Sequence, residues 1–244
     1  TIYNQSTADT DGDGVKNIIN WKLNGTSIMS LIMPFENYAV PNDYSGFGNN
    51  GTVSGATWAQ TGGYDGKGAY KFDGVNDIIT ISTPSTKIGN GSFSIEAWVL
   101  AKSLPTSPGI ITSMRTANGL TGDFILRGGS DGSLRFLNWR NDGEDLDGQI
   151  TTATYVINVN RWYHIVATWN GTNNTVYVNG TAVSIVAYTT AGVGWTAEGS
   201  IGRSYNGATY FWNGTIDGVR VYNRSLSAAQ ILALYNNRTD LIVS

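Results

Sequence analysis

From residue 27 onward the chain is a succession of short apolar or alternating runs, cut by clusters of Gly, Asn, Asp and Pro. That is the pattern of many short strands joined by tight turns. In Ser94-Ile95-Glu96-Ala97-Trp98-Val99 and in Asp217-Gly218-Val219-Arg220-Val221-Tyr222, polar and apolar residues alternate. Period two sends one face of a strand into a core and the other away from it. The same reading predicts strands over 70–72, 78–81, 93–100, 109–113, 124–127, 134–139, 155–158, 163–169, 175–178, 200–202 and 214–222. A hairpin is expected over 168–178, turning at Gly171-Thr172-Asn173-Asn174. One helix stands out: Ser227-Ala228-Ala229-Gln230 reads as a capping box, and Ile231, Leu234 and Tyr235 recur on one face.

Composition narrows this pattern to an all-β fold in one large domain, a two-sheet sandwich with a short C-terminal helix. Glycine is abundant at 31, Trp and Tyr number 8 and 13, and only 14% of residues are charged, a balance that suits strands and turns. Residues 1–26 read as a leader or linker and 27–244 as the sandwich. A net charge of −3 lacks the attraction that phosphate backbones require, so nucleic acid is not an expected partner. No apolar run reaches the length of a membrane span, since residues 28–35 are interrupted by Ser30 and Pro34. With no cysteine, thiol catalysis, thiolate metal sites and a disulfide framework are excluded. The start at Thr1, without Met or an apolar leader core, reads as a processed product or an excised segment. Asn-x-Ser/Thr triplets begin at Asn4, Asn24, Asn50, Asn90, Asn170, Asn173, Asn179, Asn213, Asn223 and Asn237; they are either glycosylation acceptors or chance products of Asn- and Thr-rich turns.

Three blocks occur in order in the first half: Leu31-Ile32-Met33-Pro34-Phe35-Glu36, then residues 42–52 around Asp43-Tyr44-Ser45-Gly46, then residues 66–77 around Tyr70-Lys71-Phe72-Asp73-Gly74. Residues 92–99, 161–169, 175–180 and 214–227 continue the series. Over about 28–235 the chain resembles laminin-G-like domains of the concanavalin-A-like jelly-roll class. The resemblance implies two packed antiparallel sheets with ligand loops at one edge. It also implies a structural Ca²⁺ where the Asp43 loop meets the Ile216-Asp217 pair, with Asp43 and Asp217 as side-chain ligands and carbonyls near Ser45 and Asn50 completing an oxygen shell. Gly218 departs from the family, which often has Glu there.

A second Ca²⁺ is expected near the start. Asp9, Asp11, Asp13, Val15 and Asn17 fall at positions 1, 3, 5, 7 and 9 of an EF-hand-like loop, with Gly14 at the sharp turn. The block is similar to the Asp-rich repeats of thrombospondin-type and dockerin-type proteins, although Asn20 stands where a bidentate Glu would complete the site. The alternative is a solvated acidic linker. Asp142, Glu144, Asp145 and Asp147 form an acidic cluster that could hold a cation, contact sugar hydroxyls or face water.

Trp139, Trp195, Tyr205, Tyr210 and Trp212 lie near Gly/Asn-rich turns, where a flat ring can stay exposed and stack on a sugar face. Trp58, Trp98, Trp162 and Trp169 read as core, and so does His164, the only histidine. Related jelly rolls include glucanases with a Glu-x-Asp-x-(x)-Glu strand, but Glu144-Asp145-Leu146-Asp147 lacks the final Glu and sits among glycines. No enzyme activity is expected. The function that follows is calcium-dependent recognition of a glycan or surface glycoprotein, extracellular or at a cell surface. The competing reading is a structural subunit that contacts its neighbours in a surface layer or filament.

Overall fold

A computed structural model describes residues 18–36, 40–82, 91–104, 109–114, 123–139, 149–189, 198–203 and 210–236. The strands are β1 (Lys22–Leu23), β2 (Thr26–Ser27), β3 (Met29–Met33), β4 (Gly51–Ser54), β5 (Thr57–Ala59), β6 (Ala69–Asp73), β7 (Ile78–Ile81), β8 (Phe93–Ala101) and β9 (Gly109–Met114). They continue as β10 (Asp123–Gly128), β11 (Leu134–Trp139), β12 (Gln149–Thr151), β13 (Trp162–Trp169), β14 (Asn173–Val178), β15 (Thr181–Ala187), β16 (Gly199–Ile201) and β17 (Asn213–Tyr222), before helix α1 (Ala228–Tyr235).

Two antiparallel sheets form the expected sandwich. One runs β12-β11-β10-β9-β16-β7-β4 and the other β15-β14-β13-β8-β17-β6-β5, with β3 also paired to β17. Between them Ile79, Ile81, Ile95, Val99, Ile111, Leu126, Phe136, Ile165 and Ile216 form a continuous core. Most expected strands are present, and the 168–178 hairpin is the β13–β14 pair. Residues 155–158 are a turn instead: Tyr155 has φ +58°, and its N–H and that of Ile157 donate to the carbonyls of Asp131 and Gly132. Ile157 is nevertheless buried, so its apolar character reflects a loop packed down over the β10–β11 turn.

The alternating strands depart from expectation on their second face. On β8, Ile95, Ala97 and Val99 face the core, yet Glu96 and Trp98 are buried as well. Helix α1 and its approach cover part of this side, where Ile231 joins Ile28, Met29, Ile32, Val166, Tyr222 and Leu226 in a second cluster. The helix starts as the capping box foretells: Ser227 Oγ accepts from Gln230 N, and Gln230 Oε1 accepts from Ser227 N at 2.9 Å. Ile18 and Trp21 pack against the same cluster, and the Asn20 amide donates to Ser45 O at 2.7 Å.

A polar network occupies the covered face. Glu96 accepts from Arg220 Nη1 at 2.7 Å and from Tyr222 Oη at 2.6 Å, and its Oε1 lies 3.2 Å from His164 Nε2. Trp98 stacks on Tyr64 with centroids 3.9 Å apart, and Tyr235 closes over Trp98 and His164. Burial alone would push Glu96 upward in pKa, but Arg220, His164 and Tyr222 together hold it at about 2. His164 thus belongs to a buried structural cluster, as the sequence suggests. Beside it, β17 carries a bulge against β8 between Asp217 and Arg220, and Gly218 has φ +60° there. A side chain resists that backbone, which suits glycine at the bulge.

Two outcomes test this description. Because the carboxyl of Glu96 drops from 4.5 to about 2 on folding, its contribution is complete above pH 4.5 and disappears as the pH falls toward 2. Glu96→Gln should therefore cost about 3–5 kcal/mol at pH 7, and thermal melts should show the gap to the unaltered protein closing across that acid window. In Gly218→Ala the added methyl meets no atom closer than 3.7 Å, so only the backbone penalty of about 1–2 kcal/mol applies. A fall in Tm of roughly 2–8 °C is expected for a chain of this size.

Candidate functional site

Of the expected calcium residues, Asp43 lies in a loop and Asp217 on a strand. Asp43 follows β3, and its carboxylate organises its own loop: Oδ1 accepts from Ile32 N (3.0 Å) and Ser45 N (2.9 Å), Oδ2 from Ser45 Oγ (2.7 Å) and Asn49 N (3.0 Å). The exposed Asn50 side chain folds back onto the same loop, its Oδ1 accepting from Asp43 N at 2.8 Å. Four donors thus meet the lone pairs of Asp43, and the carboxylate ties its own loop together. Asp217 is fully buried on β17 and accepts from Tyr64 N at 3.3 Å. A methyl group placed on Gly63 would lie 2.6 Å from Asp217 Oδ2, 2.9 Å from Gly68 O and 3.0 Å from Lys67 O. Carboxylate and carbonyl oxygens converge on this turn, a donor chemistry that suits Ca²⁺. Among the described residues, no group of three or more His, Cys, Asp or Glu side chains could hold a metal.

Asp9, Asp11, Asp13, Val15 and Asn17 lie outside the described residues, as do Asp142, Glu144, Asp145, Asp147, Trp195 and Tyr205. Trp139 closes β11 opposite Asp123, and only its backbone is described. Trp212 requires correction. Its ring is 1% exposed and belongs to the core, close against Gly128, and cannot stack on a ligand. It sits on the strand-like approach to β17, where it alternates with the half-exposed Phe211 and Asn213 and so takes the inward side despite a nearby Gly/Asn-rich turn. Tyr210, by contrast, is exposed, with φ +67°.

Tyr210 leads to the outer face of the seven-stranded sheet. Leu126, Leu134 and Phe136 point into the core, so the intervening Arg127 and Arg135 point outward. Register makes these two arginines direct cross-strand partners, with Thr151 of β12 next in the row. The Arg127 guanidinium lies 5.9 Å from the Tyr210 ring centroid, and Ile110 N donates to Tyr210 O. Burial and the neighbouring Arg135 charge lower the pKa of Arg127, opposed by Tyr210. Alongside runs a second row in which Ser113, Ser200, Thr80 and Thr52 are successive partners; the two serines are buried and the two threonines reach the surface. The surface therefore combines an exposed ring, paired cations and hydroxyl groups. The sequence singles out Tyr210 by its turn and does not single out the arginines, whose only local signal is a charge at an outward strand position.

An open polar groove of 420 Å³ lies on the opposite sheet beside α1, lined by Thr168, Asn170, Thr175, Tyr177, Arg224 and Gln230 among others. Thr168 and Thr175 are cross-strand partners. This groove was not anticipated from the sequence either.

Solved structures share the architecture. Domain 4 of an extracellular arabinanase from Geobacillus stearothermophilus, in complex with arabinotriose, is similar with a TM-score of 0.65 and 20% identity, over 85% of this chain and 98% of that one. The binding domain of Paraclostridial mosquitocidal protein 1 gives 0.66 and 19%, over 86% of this chain and 52% of that one. Trypanosoma rangeli sialidase gives 0.63 and 20%, over 87% of this chain and 33% of that one. At these identities the likeness is one of fold. No curated protein sequence matches the chain. The family model described as the concanavalin A-like lectin/glucanases superfamily, of laminin-G type, matches residues 73–232, and the chain belongs to that family.

Proposed function

We propose that this chain is an extracellular glycan-binding module that holds its ligand on the outer face of the seven-stranded sheet. The observation that carries the reading is the exposed Tyr210 ring beside Arg127, Arg135 and Thr151. A sugar's C–H face can lie on such a ring while cations and hydroxyls meet its oxygens. The arabinanase domain, matched along almost its whole length, was solved with arabinotriose, and its extracellular parent supports the location. The buried Glu96–His164 pair supports a binding role, because its ring cover leaves no approach for a substrate.

Calcium has a supporting role in this reading, held by Asp217 with the carbonyls of Lys67 and Gly68. There it would tie the 62–68 turn to β17; the ion neutralises a buried carboxylate that faces other oxygens. A structural or adhesive role is the second reading, and β15 favours it. This edge strand leaves Val183, Ile185 and Val186 exposed, an arrangement that can accept another strand.

A glycan array followed by calorimetry on the hits tests the main reading. Tyr210→Ala should weaken binding several-fold, about 1 kcal/mol by analogy with aromatic pairs, with melting almost unchanged because the ring is exposed. A blank array together with self-association through β15 would transfer the function to the second reading. For calcium, excess chelator should lower Tm in the unaltered protein, and Asp217→Asn should remove that response. Identical melts with chelator and with added Ca²⁺ would refute the ion's role.

A further inference from the structure

The outer-face arginines carry more than a general affinity for sugars. Arg127 and Arg135 are directly opposed on β10 and β11, and like charges in that relation destabilise a sheet. Elsewhere the fold neutralises such a charge: Arg220 has Glu96 at 2.7 Å. Among the described residues neither outer-face guanidinium has an ion-pair partner, and the Nε of each is buried without an acceptor. Asp131, the carboxylate whose titration feels Arg135, is already held by Ser133 N at 3.0 Å and Ser133 Oγ at 2.6 Å. The Tyr210 ring offsets part of the charge of Arg127, and nothing comparable is described for Arg135.

We propose that this face selects glycans that carry a carboxylate, with the paired guanidinium groups of Arg127 and Arg135 gripping the acid while Tyr210 takes the sugar ring. A planar carboxylate presents two oxygens to the guanidinium fork, and the resulting hydrogen bonds are charge-assisted. It removes the cross-strand repulsion, which a neutral sugar hydroxyl leaves in place. The proposal rests on the glycan-binding reading above and narrows its ligand class.

Calorimetry at low salt on the full chain tests it, using oligogalacturonate and sialyllactose, their methyl esters, and neutral oligosaccharides of the same length. At least one acid should bind about tenfold or more tighter than its ester, and Arg135→Gln and Arg127→Gln should each remove about tenfold of the acid's affinity. Added salt should weaken the acid far more than the ester. Melting confirms that each variant folds; if one does not, the acid–ester comparison on the unaltered chain and the other variant decide. Esters that bind as well as acids, or acid affinity unchanged in Arg135→Gln, would overturn the proposal while leaving glycan binding intact. A preference for sulfated over carboxylated sugars would overturn the carboxylate assignment, and no binding of any sugar would remove both readings.

Discussion

The pairing of β17 is the constraint on which the sandwich depends. This ten-residue strand joins β8 on one side, while on the other its first half joins β6 and its second half β3. Three segments far apart in sequence are thereby fixed to one ribbon. The bulge at Gly218 lets the strand serve both halves: on one side of it Asp217 turns to the 62–68 turn, on the other Arg220 reaches Glu96. An error there would misplace the buried ionic network and the oxygen-lined turn together.

The strands legible in the sequence were those whose surroundings repeat a simple rule. Ile78–Ile81, Phe93–Ala101 and Asn213–Tyr222 each have a strand on both sides, and alternation or continuous apolarity marks them. Short edge strands such as Thr57–Ala59 and Gln149–Thr151 owe their existence to a neighbour's unpaired backbone, and three residues carry no period. Residues 155–158 deceived for the opposite reason, since an apolar loop buried by tertiary packing mimics a strand. The outer face of the seven-stranded sheet was still harder to read. Tyr210 could be suspected from its turn, but the meeting of Arg127 with Arg135 is a fact of register, and register depends on the whole sheet. Asp43 shows the same limit: the sequence marks the loop, while the hydrogen bonds that its carboxylate makes within it depend on the folded backbone.

The molecule treats its arginines in two ways. On the eight-stranded sheet, Arg220 is enclosed with a carboxylate, a phenol and an imidazole, and the assembly acts as an internal clamp. On the seven-stranded sheet, Arg127 and Arg135 face each other with one aromatic ring for company. The first arrangement spends its electrostatics on holding the fold, and the second keeps it available for something outside.

That outward pair also bears on how the sheet assembles. Strands β10 and β11 are separated by a tight turn, with Leu126 opposite Phe136 and Arg127 opposite Arg135. Were either strand to slide by one residue against the rest of the sandwich, its arginine would be driven into the core and a leucine or phenylalanine put into water. Burying an unpaired guanidinium costs several kcal/mol, so the misaligned hairpin is disfavoured. Charges that weaken the finished sheet thereby proofread its construction.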